Sequence, residues 1–418
     1  MKGLLRNSRE INPMRHIFLI LCLSAFSLNS WSQNILEQLR TDVTYLADDK
    51  LEGREIGTKG ELLAAEYIAK RFQELGLSPK GTDGYFQTFS RKQEQDPHST
   101  TPTDTGRVVG RNVAAFIDNG AKTTIIIGAH YDHLGYGHHG SLHAGEPAIH
   151  NGADDNASGI AVMLQLAEEL KTASKANNYL FIAFSGEERG LWGSNFFTKE
   201  PTLKLEDVNY MINMDMVGRL NAENTLAING TGTAPVWTDL LKKLAEGTFK
   251  LVLSESGVGP SDHTSFYLKD IPVLHFFTGQ HEDYHKPSDD VEKVNFLGME
   301  KIGSLIFSII SELDNDGKLA FTKTKEPDQA SSPRFSVTLG VVPDYLFDGE
   351  GMRISGVKED RAAAKAGLLE GDIVIKLGDI EVTEMQSYMK GLASFKEGDR
   401  TVVVVIRNGK KLKKKVQF

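Results

Sequence analysis

The sequence predicts an α/β domain, built on a mixed, mostly parallel central sheet with helices on both faces, followed by a small β-rich domain. Two features predict the first domain: continuous apolar runs typical of buried strands, and amphipathic helical segments that alternate with them. After a polar, proline-bearing segment at 322–334 the pattern changes to short strands and two short helices. A chain of 418 residues is long enough for both domains.

The first thirty-two residues differ from the rest and predict export. Basic residues precede the apolar run at 17–28, and small residues flank Trp31, so we expect a signal peptide over 1–32 that is cleaved after Ser32. The apolar run is too short to cross a bilayer comfortably, which argues against a stable membrane anchor. We therefore expect a secreted or periplasmic protein.

Charge and cysteine content restrict the possible chemistry. The formal net charge of -9 argues against nucleic acid as a partner. The single cysteine, Cys22, lies in the expected signal peptide, so the mature chain would have neither disulfides nor thiolate ligands. Any metal ion must then be held by His, Asp and Glu.

The helices and strands of the first domain, 33–321, are predicted from the spacing of apolar residues and from the residues that begin or end each element. Helical spacing runs over 34–46, and Thr58 with Glu61 predicts a capping box ahead of a helix that ends at Leu75. Further strands are expected at 85–89, 108–117, 123–128, 179–184, 210–214 and 271–277, and further helices at 158–170, around 192–196, at 236–244 and at 294–313. Residues 91–107 are polar and predict a loop.

Acidic and histidine residues collect at one edge of this predicted sheet. Five lie at or just past the carboxyl end of a predicted strand: His130, Glu187, Glu188, Asp215 and His285. Asp155 stands at the start of the 158–170 helix, where a helix N-terminus or a cation can neutralise a carboxylate. In open α/β sheets this edge is where ligands bind.

These residue types suit zinc, whose catalytic sites combine histidine and carboxylate ligands and keep one position open for water. Two neighbouring ions need a bridging carboxylate, together with one histidine and one carboxylate each. Asp155 can bridge, His130 and Asp215 can serve one ion, and Glu188 and His285 can serve the other. We therefore expect two zinc ions per chain.

Two further carboxylates have expected catalytic roles. Asp132, two residues after His130, can accept the second imidazole N–H and fix its tautomer. Glu187, next to the ligand Glu188, is the candidate general base that deprotonates a water molecule.

The motifs that carry these residues resemble the secreted di-zinc aminopeptidases of the bacterial leucyl aminopeptidase type. Their superfamily includes glutamate carboxypeptidase II, the transferrin receptor and the glutaminyl cyclases. The resemblance covers roughly 35–315 and rests on five ordered motifs: GAHYD at 128–132, GADDNASG at 152–159, SGEE at 185–188, NMD at 213–215 and YH at 284–285. It implies Asp155 rather than Asp154 as the bridge, Glu187 as the base, and peptides with a free N-terminus as substrates, their α-amine held by one zinc.

The second domain, 335–418, resembles a PDZ domain of the bacterial, circularly permuted kind. Leu339, Gly340, Val341 and Val342 stand where that fold has its carboxylate-binding loop, and AGLLEGD at 366–372 matches a typical run. The resemblance implies that a C-terminal peptide binds by strand addition. Pro343 and Asp344 depart from the usual loop pattern.

Other residues and functions stay open at this point. Tyr284, Asp262 and His263 are candidate substrate-binding residues. The leading hypothesis is a zinc aminopeptidase. The alternatives are a single-zinc glutaminyl-cyclase-like acyltransferase, a carboxypeptidase, and a non-catalytic peptide-binding protein.

Overall fold

The structure is a computed structural model that describes residues 35–92, 106–143, 145–173, 176–324, 337–344, 347, 349–357, 361–383 and 385–418. The predicted signal peptide lies outside these residues, and so does most of the predicted linker, from 325 onward. Within them, no helix has the length and apolar character needed to cross a membrane.

The first domain is built on a large mixed sheet. Its strands in the described residues are β1 (Ser78–Pro79), β2 (Phe86–Lys92), β3 (Arg107–Ile117), β4 (Thr124–His130), β5 (Asn178–Phe184), β6 (Val208–Met214), β7 (Thr225–Asn229), β8 (Lys250–Ser254) and β9 (Val273–Phe277). They lie in the order β1-β3-β5-β4-β6-β9-β7-β8, with β2 beside β3. The central strands β5, β4, β6 and β9 are parallel, and β3 and β7 join them antiparallel. The predicted mixed sheet is confirmed, with its parallel part at the centre.

Helices cover both faces of this sheet. They are α1 (35–46), α2 (Lys59–Glu74), α3 (Gly159–Leu170), α4 (Trp192–Lys199), α5 (Trp237–Ala245), α6 (His263–Tyr267) and α7 (Phe296–Glu312). Successive side chains of a strand point to opposite faces. In β5, Phe181 therefore packs in the core with α2, α3 and α7, whereas Leu180 and Ile182 pack with α4 and α6. Continuous apolar runs were the correct signal for strands buried on both faces.

The predicted capping box at α2 forms only in part. Thr58 Oγ1 accepts a hydrogen bond from the main-chain N of Glu61 at 3.3 Å, as expected. The Glu61 carboxylate does not reach back to the cap, because it is buried and accepts hydrogen bonds from Tyr131 Oη at 2.6 Å and Ser185 Oγ at 3.0 Å. A buried carboxylate needs such donors, so tertiary contacts override the local motif.

The second domain has a separate sheet and core. Its elements are β10 (Val341–Pro343), β11 (Met352–Val357), α8 (Ala362–Lys365), β12 (Ile373–Leu377), β13 (Ile380–Glu381), α9 (Met385–Ala393), β14 (Arg400–Arg407) and β15 (Lys410–Gln417). The strands run in the order β10-β11-β12-β14-β15, with β13 on β12. The strand expected at 335–342 is shorter in the structure, since Gly340 adopts a φ of 72° that extended backbone does not allow.

A buried ion pair holds the second domain together. The Asp372 side chain is fully buried and accepts hydrogen bonds from Arg407 Nε at 2.6 Å and Arg407 Nη2 at 2.7 Å. Burial acts to raise the pKa of Asp372, but the hydrogen bonds from Arg407 outweigh it and hold the pKa below its usual value. The pair thus stabilises the domain at neutral pH, and this stability is lost as the pH falls and Asp372 is protonated.

We expect Asp372→Asn to lower the free energy of unfolding of the second domain by about 2–3 kcal/mol at neutral pH, because Arg407 loses its charged partner. Denaturant unfolding with and without the substitution measures this. The exposed Asp379 gives the matched control, and Asp379→Asn should change stability little. Equal effects of the two substitutions would contradict the prediction.

Candidate metal centre and active site

Asp155 lies between two histidines that come from distant parts of the chain. Its carboxylate is buried, and Oδ1 is 3.3 Å from His130 Nε2 while Oδ2 is 3.2 Å from His285 Nε2. Burial acts to raise the pKa of Asp155, but the imidazoles of His133 and His130 outweigh it and hold the pKa well below its usual value. One carboxylate thus presents a separate oxygen to each of two histidines.

Each histidine has a second carboxylate next to it. His130 Nε2 is 3.3 Å from Asp215 Oδ1, and His285 Nε2 is 3.3 Å from Glu188 Oε2. Zinc bonds of about 2.0–2.1 Å at tetrahedral angles put neighbouring ligand atoms roughly 3.3 Å apart. The donors thus form a first ligand group (His130, Asp155 and Asp215) and a second ligand group (Asp155, Glu188 and His285) with spacings that suit zinc, and the number of ions stays a prediction.

The sheet topology explains why these residues meet. His130 ends β4, Glu188 follows β5, Asp215 follows β6, and His285 lies in the loop after β9. These four strands are parallel, so their carboxyl ends share one edge. Asp155 reaches the same edge from the turn that precedes α3.

Asp132 contacts both His130 and the loop that carries the candidate base. His130 Nδ1 is 3.2 Å from the main-chain O of Asp132 and 3.8 Å from its Oδ1. The main-chain N of Glu187 donates to Asp132 Oδ1 at 3.0 Å. The acceptor nearest to the imidazole is thus the main-chain carbonyl of Asp132 rather than the predicted carboxylate.

Glu187 lines a cavity of about 80 Å³ together with the candidate ligands. Burial raises the pKa of Glu187 well above its usual value, and the nearby carboxylates Asp215 and Asp262 add to the shift. The apolar part of the wall consists of Met216, Pro260, Phe277 and Tyr284. A carboxyl group with a raised pKa in a partly apolar cavity can act as a proton acceptor near neutral pH.

The predicted substrate-binding residues occupy different positions. Tyr284 lines the cavity, and its ring stacks on that of His285 at 3.8 Å. Asp262 and His263 are completely buried and are not among the residues that line the cavity. Burial raises the pKa of Asp262 to about 7. The His263 ring stacks at 4.5 Å on His275, which does line the cavity.

Asp154, the acidic neighbour of Asp155, belongs to a different network. It accepts hydrogen bonds from Gly218 N at 2.6 Å and Ser158 Oγ at 3.0 Å, and its Oδ2 is 3.1 Å from His281 Nε2. These partners leave it turned away from the two ligand groups. Asp155 rather than Asp154 thus lies between the two histidines, and its role as the bridge stays a prediction.

Asp289 and Arg54 support the centre without having been predicted. Asp289 accepts hydrogen bonds from the main-chain N of Asp154 and Asp155, each at 3.0 Å. Burial raises the pKa of Asp289 to about 6. In the sequence, Asp289 is one of many loop acids, so only its folded position reveals that it holds the bridging turn.

Arg54 is a completely buried arginine next to the loop after β4 and the loop before Asp155. It donates to the main-chain O of Tyr131 at 2.8 Å, of Asn151 at 2.6 Å and of Gly152 at 3.0 Å, and also to the O of Leu46. Burial lowers the pKa of Arg54 to about 10, against the opposing effect of Asp155 and other buried carboxylates. The guanidinium thus connects the loop after β4 with the loop before Asp155 by hydrogen bonds to both.

Part of the first domain matches a known protein family. Residues 112–310 match the profile of Peptidase family M28, and this range includes all five metal-ligand candidates and Glu187. We call this matched range the M28 domain. Residues 321–418 match the profile of the PDZ domain, a range that includes the predicted linker, and the domain boundary at 335 stays a prediction.

Curated relatives of the M28 domain include two bacterial proteins. Aminopeptidase YwaD of Bacillus subtilis is 32% identical over 187 residues, which is 42% of this chain and 39% of that protein. The alkaline phosphatase isozyme conversion protein of Escherichia coli is 31% identical over 167 residues, 39% of this chain and 46% of that protein. The matched region thus spans about half the length of these relatives or less.

Solved structures share the fold of the M28 domain. BSAP, a zinc aminopeptidase from Bacillus subtilis, superposes with a TM-score of 0.52 at 18% identity, covering 70% of this chain and 96% of that one. The glutaminyl cyclase of Porphyromonas gingivalis gives 0.52 at 16% identity, covering 66% and 98%. At these identities the likeness shows a shared fold.

Proposed function

We propose that this chain is a metallo-aminopeptidase that uses two zinc ions to remove N-terminal residues from peptides. The observation that carries the proposal is the position of Asp155, whose two oxygens each lie 3.2–3.3 Å from a different histidine. The M28 domain and the curated aminopeptidase relative support peptide hydrolysis. His130, Asp155 and Asp215 would hold one ion, and Asp155, Glu188 and His285 the other.

The protein side chains have separate tasks in this reaction. Bound zinc lowers the pKa of a water molecule and polarises the peptide carbonyl. Glu187 accepts the proton of the attacking water and delivers it to the leaving amine. Asp132 holds the main chain of Glu187, which keeps the base at a constant distance from the ligands.

The residues that line the cavity favour an exopeptidase that acts on the N-terminus. Glu187, Glu188 and Asp215 line it together with the other candidate ligands, so a bound zinc ion would lie where it can hold a free α-amine. Met216, Phe277 and Tyr284 give the cavity an apolar side for the N-terminal side chain of the substrate. A substrate with an acetylated N-terminus has no free amine to bind zinc and should be a poor substrate.

Metal analysis tests the proposal directly. We expect two zinc ions in the intact chain and release of free amino acids from unblocked peptides. Asp155→Asn should lower the zinc content below one and lower kcat by several orders of magnitude, because both ions lose a ligand. The neighbouring Asp154→Asn should retain both ions. A single zinc in the unaltered chain with pyroglutamate as product would instead favour the glutaminyl-cyclase alternative.

For the PDZ domain we propose that a C-terminal peptide adds a strand to β10 on the side away from β11, with its carboxylate at Leu339, Gly340, Val341 and Val342. Within the described residues β10 lies at one end of the strand order and pairs with β11. The cores of the two domains share no residue. Deletion of 335–418 should therefore leave turnover of dipeptides unchanged and alter the handling of longer substrates.

We also propose that the chain is exported, with a signal peptide over 1–32. N-terminal sequencing of the protein recovered outside the cytoplasm tests this. A mature chain that begins at Gln33 supports cleavage after Ser32, whereas a retained segment 1–32 contradicts it.

A further inference from the structure

A third histidine, His133, lies next to the second ligand group, which consists of Asp155, Glu188 and His285. It is three residues after His130, is almost completely buried, and its main-chain N donates to Arg54 O at 3.3 Å. Its Nδ1 is 2.9 Å from Glu188 Oε1 and 3.8 Å from Asp155 Oδ2. His133, Asp155 and Glu188 thus bring three potential ligand atoms together.

The two oxygens of Glu188 have different neighbours. Oε2 faces His285 Nε2 at 3.3 Å, whereas Oε1 faces His133 Nδ1 at 2.9 Å. Apart from these two imidazoles, no hydrogen-bond donor reaches the Glu188 side chain among the described residues. The orientation of this carboxylate therefore depends on His133.

The distances distinguish a ligand from a hydrogen-bond donor. Ligand atoms of one tetrahedral zinc lie roughly 3.3 Å apart, and His285 Nε2 meets this condition with both Asp155 and Glu188. His133 Nδ1 is too far from Asp155, at 3.8 Å, and at 2.9 Å from Glu188 it has the spacing of an N–H···O hydrogen bond. His285 thus fits as the ligand and His133 as a donor to the ligand.

The His133 ring is confined by its surroundings. Gly152 adopts a φ of 55°, and a Cβ at this position would lie 2.6 Å from His133 Cγ and Cδ2. The ring meets that of His285 edge-on at 5.8 Å, and its Nε2 has no hydrogen-bond partner in the described part of the chain. The ring is therefore held in place by packing, and Nδ1 is the nitrogen that makes the polar contact.

We propose that His133 is a positioning residue that orients Glu188 for the second zinc ion by donating a hydrogen bond from Nδ1 to Oε1. Metal ligands commonly depend on such partners for their orientation, and losing one typically costs 10–100-fold in metal affinity. The inference rests on the two-ion centre proposed above. It assigns to His133 a role in metal affinity and not in proton transfer.

A pair of amide substitutions in the full-length chain tests this role. The side-chain amide of Asn can place its N–H₂ where His133 has Nδ1, whereas the longer Gln side chain places its amide nearer to Nε2. We expect His133→Gln to lower the affinity for the second zinc ion about 10–100-fold and His133→Asn to keep it within about 3-fold. The affinity of the first ion should be unchanged in both variants.

Zinc titration against a chelator of known affinity gives both constants, and thermal unfolding of the metal-free proteins shows that the variants fold. The d–d absorption of the cobalt-substituted protein supplies a second readout, which should be the same in the Asn variant and in the unaltered chain. The exposed His138, in the same loop, is the matched control, and His138→Gln should change neither constant.

The other possible results would each contradict the role proposed for His133. Equal loss of the second ion in the Asn and Gln variants, or a cobalt spectrum that changes in the Asn variant, would make His133 a ligand or a packing residue. Unchanged affinity in both variants would show that it has no role at the metal. If the unaltered chain binds one zinc only, the proposed two-ion function fails, and the role of His133 fails with it.

Discussion

Replacing Glu187 with Gln is expected to lower kcat about 10²–10⁴-fold while zinc remains bound. The amide has nearly the same shape as the carboxylate but cannot accept the proton of the attacking water. Glu187 is not within either ligand group, so the metal should be unaffected. Measuring kcat on an unblocked dipeptide together with zinc content for the same preparation checks both parts of the prediction.

Glu206 provides the matched control for this substitution, because its side chain is 77% exposed and it lies away from the cavity. Glu206→Gln should leave kcat and zinc content unchanged. A Glu187→Gln protein that keeps full activity would exclude Glu187 as the base. One that loses zinc would instead show that Glu187 is a ligand.

Replacing Arg54 with Met should lower the free energy of unfolding by about 3–5 kcal/mol. The substitution leaves the carbonyls of Tyr131, Asn151 and Gly152 without their donor in a buried position, and each such loss is costly. It also removes a buried positive charge that faces Asp155. Denaturant unfolding of the zinc-free chain measures the change without the contribution of bound metal.

The exposed Arg91, whose guanidinium lies 5.0 Å from the Trp192 ring centre, is the control for this prediction. Arg91→Met should cost less than about 1 kcal/mol, because an exposed cation–π contact contributes little. Arg54→Lys keeps the charge but loses the planar guanidinium group. Its loss in free energy of unfolding should therefore fall between those of Arg54→Met and Arg91→Met. A loss below about 1 kcal/mol for Arg54→Met would contradict the role assigned to Arg54.

Local patterns predicted most of the long elements because those elements are buried in a regular way. The apolar runs of β4, β5 and β6 are continuous, and α7 has helical periodicity over its full length. The short elements β7, β8 and α6 were not predicted. Each has only five residues and, unlike the five-residue β9, none is part of a longer apolar run that would mark it.

At the candidate metal centre, the local sequence predicts the position of Asp155 but not the contact made by Asp289. Asp155 lies in a motif whose position before a helix is visible in the sequence, so it could be predicted as a candidate ligand. Asp289 holds the main chain of Asp155 across 134 positions in the sequence. Such a contact has no local signature, because the hydrogen bond depends only on where two distant loops come together.

The sequence by itself determined the mixed α/β class and the separate C-terminal domain, and it predicted five candidate ligands with an adjacent candidate base. It could do so because strand ends are marked by short-range patterns, and parallel strands bring their carboxyl ends to one edge. Only the tertiary structure decided that Arg54 ties two loops together, that Asp262 is buried outside the cavity, and that His133 contacts Glu188. These contacts depend on packing between segments far apart in the chain, and residue type and spacing do not encode them locally.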